Sequence, residues 1–153
     1  MPNLFPTSEK SQTINTDSIA TNKVVGFKPG ILRNLTEGEV VRDGQNKTMS
    51  ATGIESWKQW CFNCLNTQRY SCKAYSTDFG IDIEGAIKAE SREETEALLE
   101  MDIREALLAD PYKRTKSVPE IVFNWLAPDS LEITVTIVGI NDATIDVTTT
   151  IAA

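Results

Sequence analysis

Cys61-x-x-Cys64, followed by Cys72, has the spacing from which metal sites and redox pairs are built. Structural zinc takes four ligands, and this chain offers three cysteines and no histidine. A redox pair of this spacing opens a helix just after a strand. Here Ile54, Trp57, Cys61, Cys64 and Leu65 recur on one side of a helical pattern, where cysteine acts as a small apolar residue. The carboxylate run Glu90, Glu93, Glu94, Glu96 and Glu100 is the second candidate. A glycosidase needs two carboxyls about 5–9.5 Å apart across a cleft, one with a raised pKa. Glutamates at a helix start are explained by the helix dipole and a solvated face. The lack of histidine also removes the Ser-His-Asp and Cys-His arrangements. There is no G-x-G-x-x-G, P-loop or G-x-S-x-G, and Gly26 stands between Val25 and Phe27 rather than in a glycine-rich loop. No catalytic, cofactor-binding or metal-binding residue is expected, and binding is the function class that remains.

The chain of 153 residues, 41% apolar and 24% charged, is long enough for one domain with its own core. We expect an extended N-terminal arm over residues 1–30 and a single domain over residues 31–153. A net charge of −7 argues against nucleic acid, whose phosphates require a basic face, and against anionic membrane surfaces. No apolar stretch approaches the roughly 20 residues of a membrane span. Met1-Pro2-Asn3-Leu4-Phe5-Pro6 lacks the basic and long apolar regions of a secretion signal, so synthesis and assembly in the cytoplasm are expected.

The fold class is α+β: two main helices on a small antiparallel C-terminal meander, with short strands before them. Turn signals at Glu37-Gly38 and Asp43-Gly44 separate short strands at 31–35, 39–41 and 47–49. Thr52 and Glu55 have capping-box spacing and open a first helix near Gly53. Residues 70–80 read as a strand and loop closing at Gly80. Ser91 and Glu94 repeat the capping spacing before a longer helix over 93–109, which Asp110-Pro111 ends. That helix has two apolar sides. Leu99, Ile103, Ala106 and Leu107 form one, and Leu98, Met101 and Leu108 the other. Strands follow at 120–126, at 131–137 after Pro128-Asp129, and at 143–151 after Asn141-Asp142.

The motifs, taken in order, resemble XkdS-like proteins of contractile phage tails and tail-like bacteriocins. They are the opening Met1–Pro6, Trp57-Lys58-Gln59-Trp60, Leu65-Asn66-Thr67-Gln68-Arg69-Tyr70 (L-x-T-x-R-Y) and Tyr75-Ser76-Thr77-Asp78-Phe79-Gly80 (Y-S-x-D-[YF]-G). That family belongs with small baseplate wedge proteins called sheath initiators, some of them once labelled tail lysozymes. The resemblance implies a structural subunit, without enzymatic activity or cofactor, at the junction of baseplate, tube and sheath with six-fold arrangement. Its implied partners are baseplate wedge proteins, the tail sheath protein and the tail tube, and its final place is the tail baseplate of the released particle. It also implies helices that join the wedge and C-terminal strands that extend the sheath's own sheet. Many relatives carry Glu-Pro-Arg after the long helix; here the place reads Asp110-Pro111-Tyr112-Lys113-Arg114, with the arginine displaced by two positions.

Two interfaces are therefore expected. Leu98, Met101 and Leu108 would face the wedge, with Asp110, Pro111 and Arg114 fixing the end of that contact. The edge strand, including Thr144, Ile145, Asp146, Val147, Thr148 and Thr149, would face the sheath, since it lacks the lysines and prolines that protect a free edge. A peptidoglycan hydrolase, suggested by the older family label, and an unrelated interaction domain are the alternatives.

Overall fold

A computed structural model describes residues 26–152. The Met1–Pro6 motif and all but the last few residues of the expected arm lie outside the described residues. Of those last residues, Phe27 stacks on Trp57 with ring centroids 5.1 Å apart, and Gly30 already belongs to a strand.

Helix α1 (Gly53–Leu65) starts where the capping box places it. Glu55 N–H donates to Thr52 Oγ1, and Thr52 N–H donates to the Glu55 carboxylate, which satisfies two otherwise free donors. Trp57, Cys61, Cys64 and Leu65 are buried as the stripe requires. Ile54 is exposed; it lies one turn before Trp57, past the last residue the core covers. Before α1, the expected three strands shrink to β1 (Gly30–Ile31) paired with β2 (Ser50–Ala51) and isolated bridges Arg33–Val40 and Arg42–Thr48. The turns between them are held by left-handed residues, Gly38 and Asn46.

Residues 70–80 do not form the expected strand. They make successive turns, with Ser71 N–H bonded to Gln68 C=O, Tyr75 N–H to Cys72 C=O and Phe79 N–H to Ser76 C=O. Polar residues such as Ser71, Lys73, Ser76, Thr77 and Asp78 interrupt both sides of the segment, so no continuous apolar face drives it onto a sheet. A short helix missing from the sequence reading, α2 (Ile83–Ile87), follows and is capped by Asp82, which accepts from Gly85 N–H. Its single turn is too short to show a helical period.

Helix α3 (Arg92–Leu108) begins with Ser91 accepting from Glu94 N–H, while the Glu94 carboxylate reaches past the cap to Glu90 N–H. The sheet is β3 (Thr115–Ala127), β4 (Ser130–Gly139) and β5 (Thr144–Ala152), antiparallel in that order. β3 starts earlier than expected and carries register shifts on either side of Ser117, which accommodate Pro119 and hid its start from a period-two reading. Helix α3 packs on β3 and α1 on β5, both on the same face of the sheet. Their buried rows meet Leu131, Ile133, Val135, Ile137, Ile145, Val147 and Ile151 in one core.

Candidate assembly surfaces

β5 is an edge, and the hairpin that leads into it sets which of its backbone groups are free. Gly139 N–H donates to Ala143 C=O at 2.8 Å. Antiparallel ladders alternate between bonded and non-bonded pairs. Counting in twos from that bond, the register pairs Ile137–Ile145, Val135–Val147, Ile133–Thr149 and Leu131–Ile151 are the bonded ones. The N–H and C=O groups of Thr144, Asp146, Thr148 and Thr150 therefore point to the open side. Their side chains are exposed on the outer face, where Thr134 and Thr148 hydroxyls lie 3.2 Å apart and Thr136 Oγ1 donates to Asp146 at 2.8 Å.

Of the six residues expected at this edge, three turn their side chains inward. Ile145, Val147 and Thr149 are buried, and Thr149 Oγ1 donates to Asn66 Oδ1 across to α1. A threonine-rich strand hid this one; only its place in the period of two marks it as inward. Beside the edge, Leu35, Thr36, Lys58 and Phe62 line an open groove with Asp146, Val147 and Thr148.

The second apolar side of α3 is solvent-facing, with Leu98 38%, Met101 60% and Leu108 46% exposed. Leu98 and Met101 also wall a groove whose other side holds Arg69, Tyr70 and Asp82. The three residues grouped with this face divide. Pro111 is exposed, whereas Asp110 and Arg114 are buried against each other. Arg114 donates Nε to Asp110 Oδ2 (2.8 Å) and Nη2 to Oδ1 (3.0 Å), and the backbone N–H groups of Arg114 and Tyr112 complete the carboxylate's partners. Trp60 and Tyr112 cover the guanidinium, at 5.6 and 5.1 Å to the ring centroids. The four-residue spacing of opposite charges was visible in sequence; its burial was not.

The motifs quoted above prove to be joints of the fold. Trp57 Nε1 donates to Thr115 Oγ1, Gln59 Oε1 accepts from Arg33 N–H, and Trp60 meets Phe79 edge-on at 5.9 Å. The L-x-T-x-R-Y and Y-S-x-D-F-G segments lie side by side. Arg69 N–H donates to Ile81 C=O and Ile81 N–H to Thr67 C=O, while the Arg69 side chain reaches Gly80 C=O and Glu105 of α3. Gly80 has φ of +92°, and a Cβ there would meet Thr67 O at 2.6 Å, so any side chain at this position strains the turn.

The chemical candidates take structural places. Cys61 and Cys64 are fully buried, and burial pushes the Cys64 thiol up to about 11 and Cys61 further still. Cys72 is exposed. Among the described residues no group of three or more Cys, Asp or Glu is placed to hold a metal ion. The glutamates are spread along α3: Glu96 accepts from Trp125 Nε1, Glu100 pairs with Arg104, and Glu93 is solvated. The Asp82 carboxyl is held below its ordinary range by the Gln68 amide and Gly85 N–H, as befits a cap. No helix among the described residues is long and apolar enough to cross a membrane.

Comparison with curated proteins finds no match. The family model for the contractile injection system sheath initiator matches residues 30–142, from β1 to the β4–β5 turn, and so takes in all three described helices and every described motif. The chain belongs to the contractile injection system sheath initiators, a family of structural proteins of contractile tail baseplates.

Proposed function

We infer that this sheath initiator joins the baseplate wedge to the first ring of sheath, using the outer side of α3 for the wedge and the open edge of β5 for the sheath. The reading is carried by β5: an unbroken edge strand whose outward backbone groups have no backbone partner among the described residues. Such an edge accepts a strand from another chain by main-chain hydrogen bonds. Each bond contributes only about 0.5–1.5 kcal/mol net, so a single edge binds weakly. A six-fold ring of edges, held by wedge and tail tube, raises the effective concentration and favours nucleation on the baseplate over pairing in solution. Action is by binding alone, with no bond made or broken and no cofactor. The chain assembles in the bacterial cytoplasm and leaves as part of the particle's baseplate. At the far end of α3, Asp110 and Arg114 act on the wedge contact indirectly, by fixing the turn that presents Pro111 and Tyr112.

The test is a pair of variants in cells that make the whole particle. Met101→Lys places an unpaired charge on the α3 face and should leave the chain folded but absent from baseplates. Thr148→Pro should leave it in the baseplate, with tubes formed and sheath missing. Sheathed particles from Thr148→Pro, or normal incorporation of Met101→Lys, would remove the corresponding half of the proposal. A cell-wall digestion assay with the purified chain should show no cleavage; cleavage would favour the hydrolase reading.

A further inference from the structure

On the outer side of α3, Glu94, Leu98, Met101, Glu105 and Leu108 follow at steps of four, three, four and three residues. That is the spacing of a coiled-coil seam, in which a second helix lies nearly parallel and inserts side chains between turns. The buried side of the same helix is different. Thr95, Leu99, Ile103 and Ala106–Leu107 follow rows of four, which pack across a sheet. Helix α3 thus carries two packing grammars, and only one is used within the chain.

The solvent-facing seam is apolar at three positions and acidic at two. Leu98, Met101 and Leu108 are exposed, and Glu94 and Glu105 stand in line with them. Glu105 has one long-range partner, Arg69, at 3.2 Å, and Glu94 accepts only from Glu90 N–H. Carboxylates within a seam weaken it unless the facing helix brings opposite charge, and a polar seam residue sets register. Eleven residues separate the two glutamates, about 16 Å along the axis at 1.5 Å per residue. The groove between α3 and the Arg69–Tyr70 turn gives the second helix a bed on one flank.

Resting on the reading that this face meets the wedge, we propose that its occupant is an amphipathic helix of a baseplate protein in which two Lys or Arg residues bracket two apolar residues at the same four-three-four spacing. The apolar pair packs on Leu98 and Met101, and the bases sit on Glu94 and Glu105. Hydrophobic contact supplies affinity, and the two charge pairs hold the register against sliding by one turn.

The experiment uses the full chain in particles assembled with the other proteins of its own injection system. Met101→Cys in a Cys72→Ser background is labelled with a benzophenone maleimide, the buried Cys61 and Cys64 staying unlabelled. Irradiation and mass spectrometry then identify the segment lying on position 101. A cross-link to a baseplate protein, within a helix of the stated basic spacing, is the expected result. Incorporation of the unlabelled chain should fall as salt rises. Glu94→Gln/Glu105→Gln should incorporate about tenfold less well at low salt and respond little to salt. A cross-link to an acidic or non-helical baseplate segment overturns this inference and leaves the wedge contact standing. A cross-link to the sheath protein, or none in particles that contain the labelled chain, overturns both. If the label blocks incorporation, Leu108→Cys replaces it; if both labels block a folded chain, the salt response of the glutamine variant decides.

Discussion

The two edges of the sheet are built from the same backbone geometry and treated in opposite ways. β3 carries Pro119, and its register shifts on either side of Ser117. Arg104 of α3 donates to the Val118 carbonyl, and the buried Asp110–Arg114 turn anchors the start of the strand, where Ile140 N–H donates to Arg114 C=O. Proline, irregular register and a covering helix are the devices that close an edge. β5 has a helix, α1, on its inner face but neither of the other two: nine register pairs run without a shift, and it contains no proline or lysine. Solubility alone would call for the same protection on both sides. The contrast shows that the open edge is a feature of this strand and not a general property of the sheet.

The largest effect should come from breaking the closed side. Asp110→Ala leaves the Arg114 guanidinium buried without its carboxylate, a change that costs about 3–5 kcal/mol. Thermal or urea unfolding of the isolated chain reads this directly. Asp110→Asn keeps part of the hydrogen bonding and should lose less. Equal stability of Asp110→Ala and wild type would mean that the turn does not anchor β3, and the comparison of the two edges would lose its covered half.

Adjacent prolines on β5 give the next effect and separate the two sides of one strand. Val147 N–H points to β4, so Val147→Pro leaves a buried carbonyl unpaired and should cost about 1–3 kcal/mol in the isolated chain. Thr148 N–H points outward, so Thr148→Pro should change the stability by less than about 1 kcal/mol, as prolines on exposed edges do. Equal losses from the two variants would show that the ladder has the opposite phase. Sheath assembly, by contrast, should fail in Thr148→Pro although the chain itself is stable.

Much of this was legible in the residues. Both capping sequences started helices where Thr52 and Ser91 stand, and the alternation of 131–137 and 145–151 placed one face of β4 and β5 in the core. The two apolar sides of α3 separated into a buried and an exposed row along the lines their spacing drew. What stayed hidden depends on contacts distant in sequence. The turn from 70 to 80 is held by Arg69, Gly80 and Ile81, and its aromatic residues suggested a strand because Tyr and Phe favour strands. The burial of Asp110 and Arg114 needs Trp60, fifty residues upstream of Asp110, to cover the guanidinium. The resemblance points to Asp110 as part of a surface contact, and the fold turns that side chain inward.

Gly80→Ala should produce a smaller loss, from a left-handed residue and a Cβ pressed on Thr67 O. An alanine in the left-handed region costs roughly 1–2 kcal/mol. It should loosen the turn that supports one wall of the α3 groove without altering β5, so incorporation into baseplates should fall while any chain that is incorporated still nucleates sheath. Loss of sheath from incorporated Gly80→Ala would couple the two surfaces and blur their separation.

The smallest effect concerns the thiols beneath the sheet, and it asks whether the open edge leaves the core open too. Cys61→Ala should cost on the order of 1 kcal/mol, the loss of one small buried group, and purified protein should carry no stoichiometric zinc or iron. Both buried thiols are neutral in the fold and have their pKa raised by burial. A raised folded pKa favours the fold fully below the unfolded value, near 9, and the advantage is lost as pH rises from there toward about 11 for Cys64. Stability should therefore be flat near neutral pH and decline above pH about 9, with a smaller decline in Cys61→Ala. Alkylation at neutral pH gives the local readout. Cys72 should react at once, being exposed, and Cys61 and Cys64 only at the rate of global opening. If Cys64 reacts faster than the chain unfolds, the core beneath β5 opens locally, and the edge is a frayed strand instead of an ordered template for sheath.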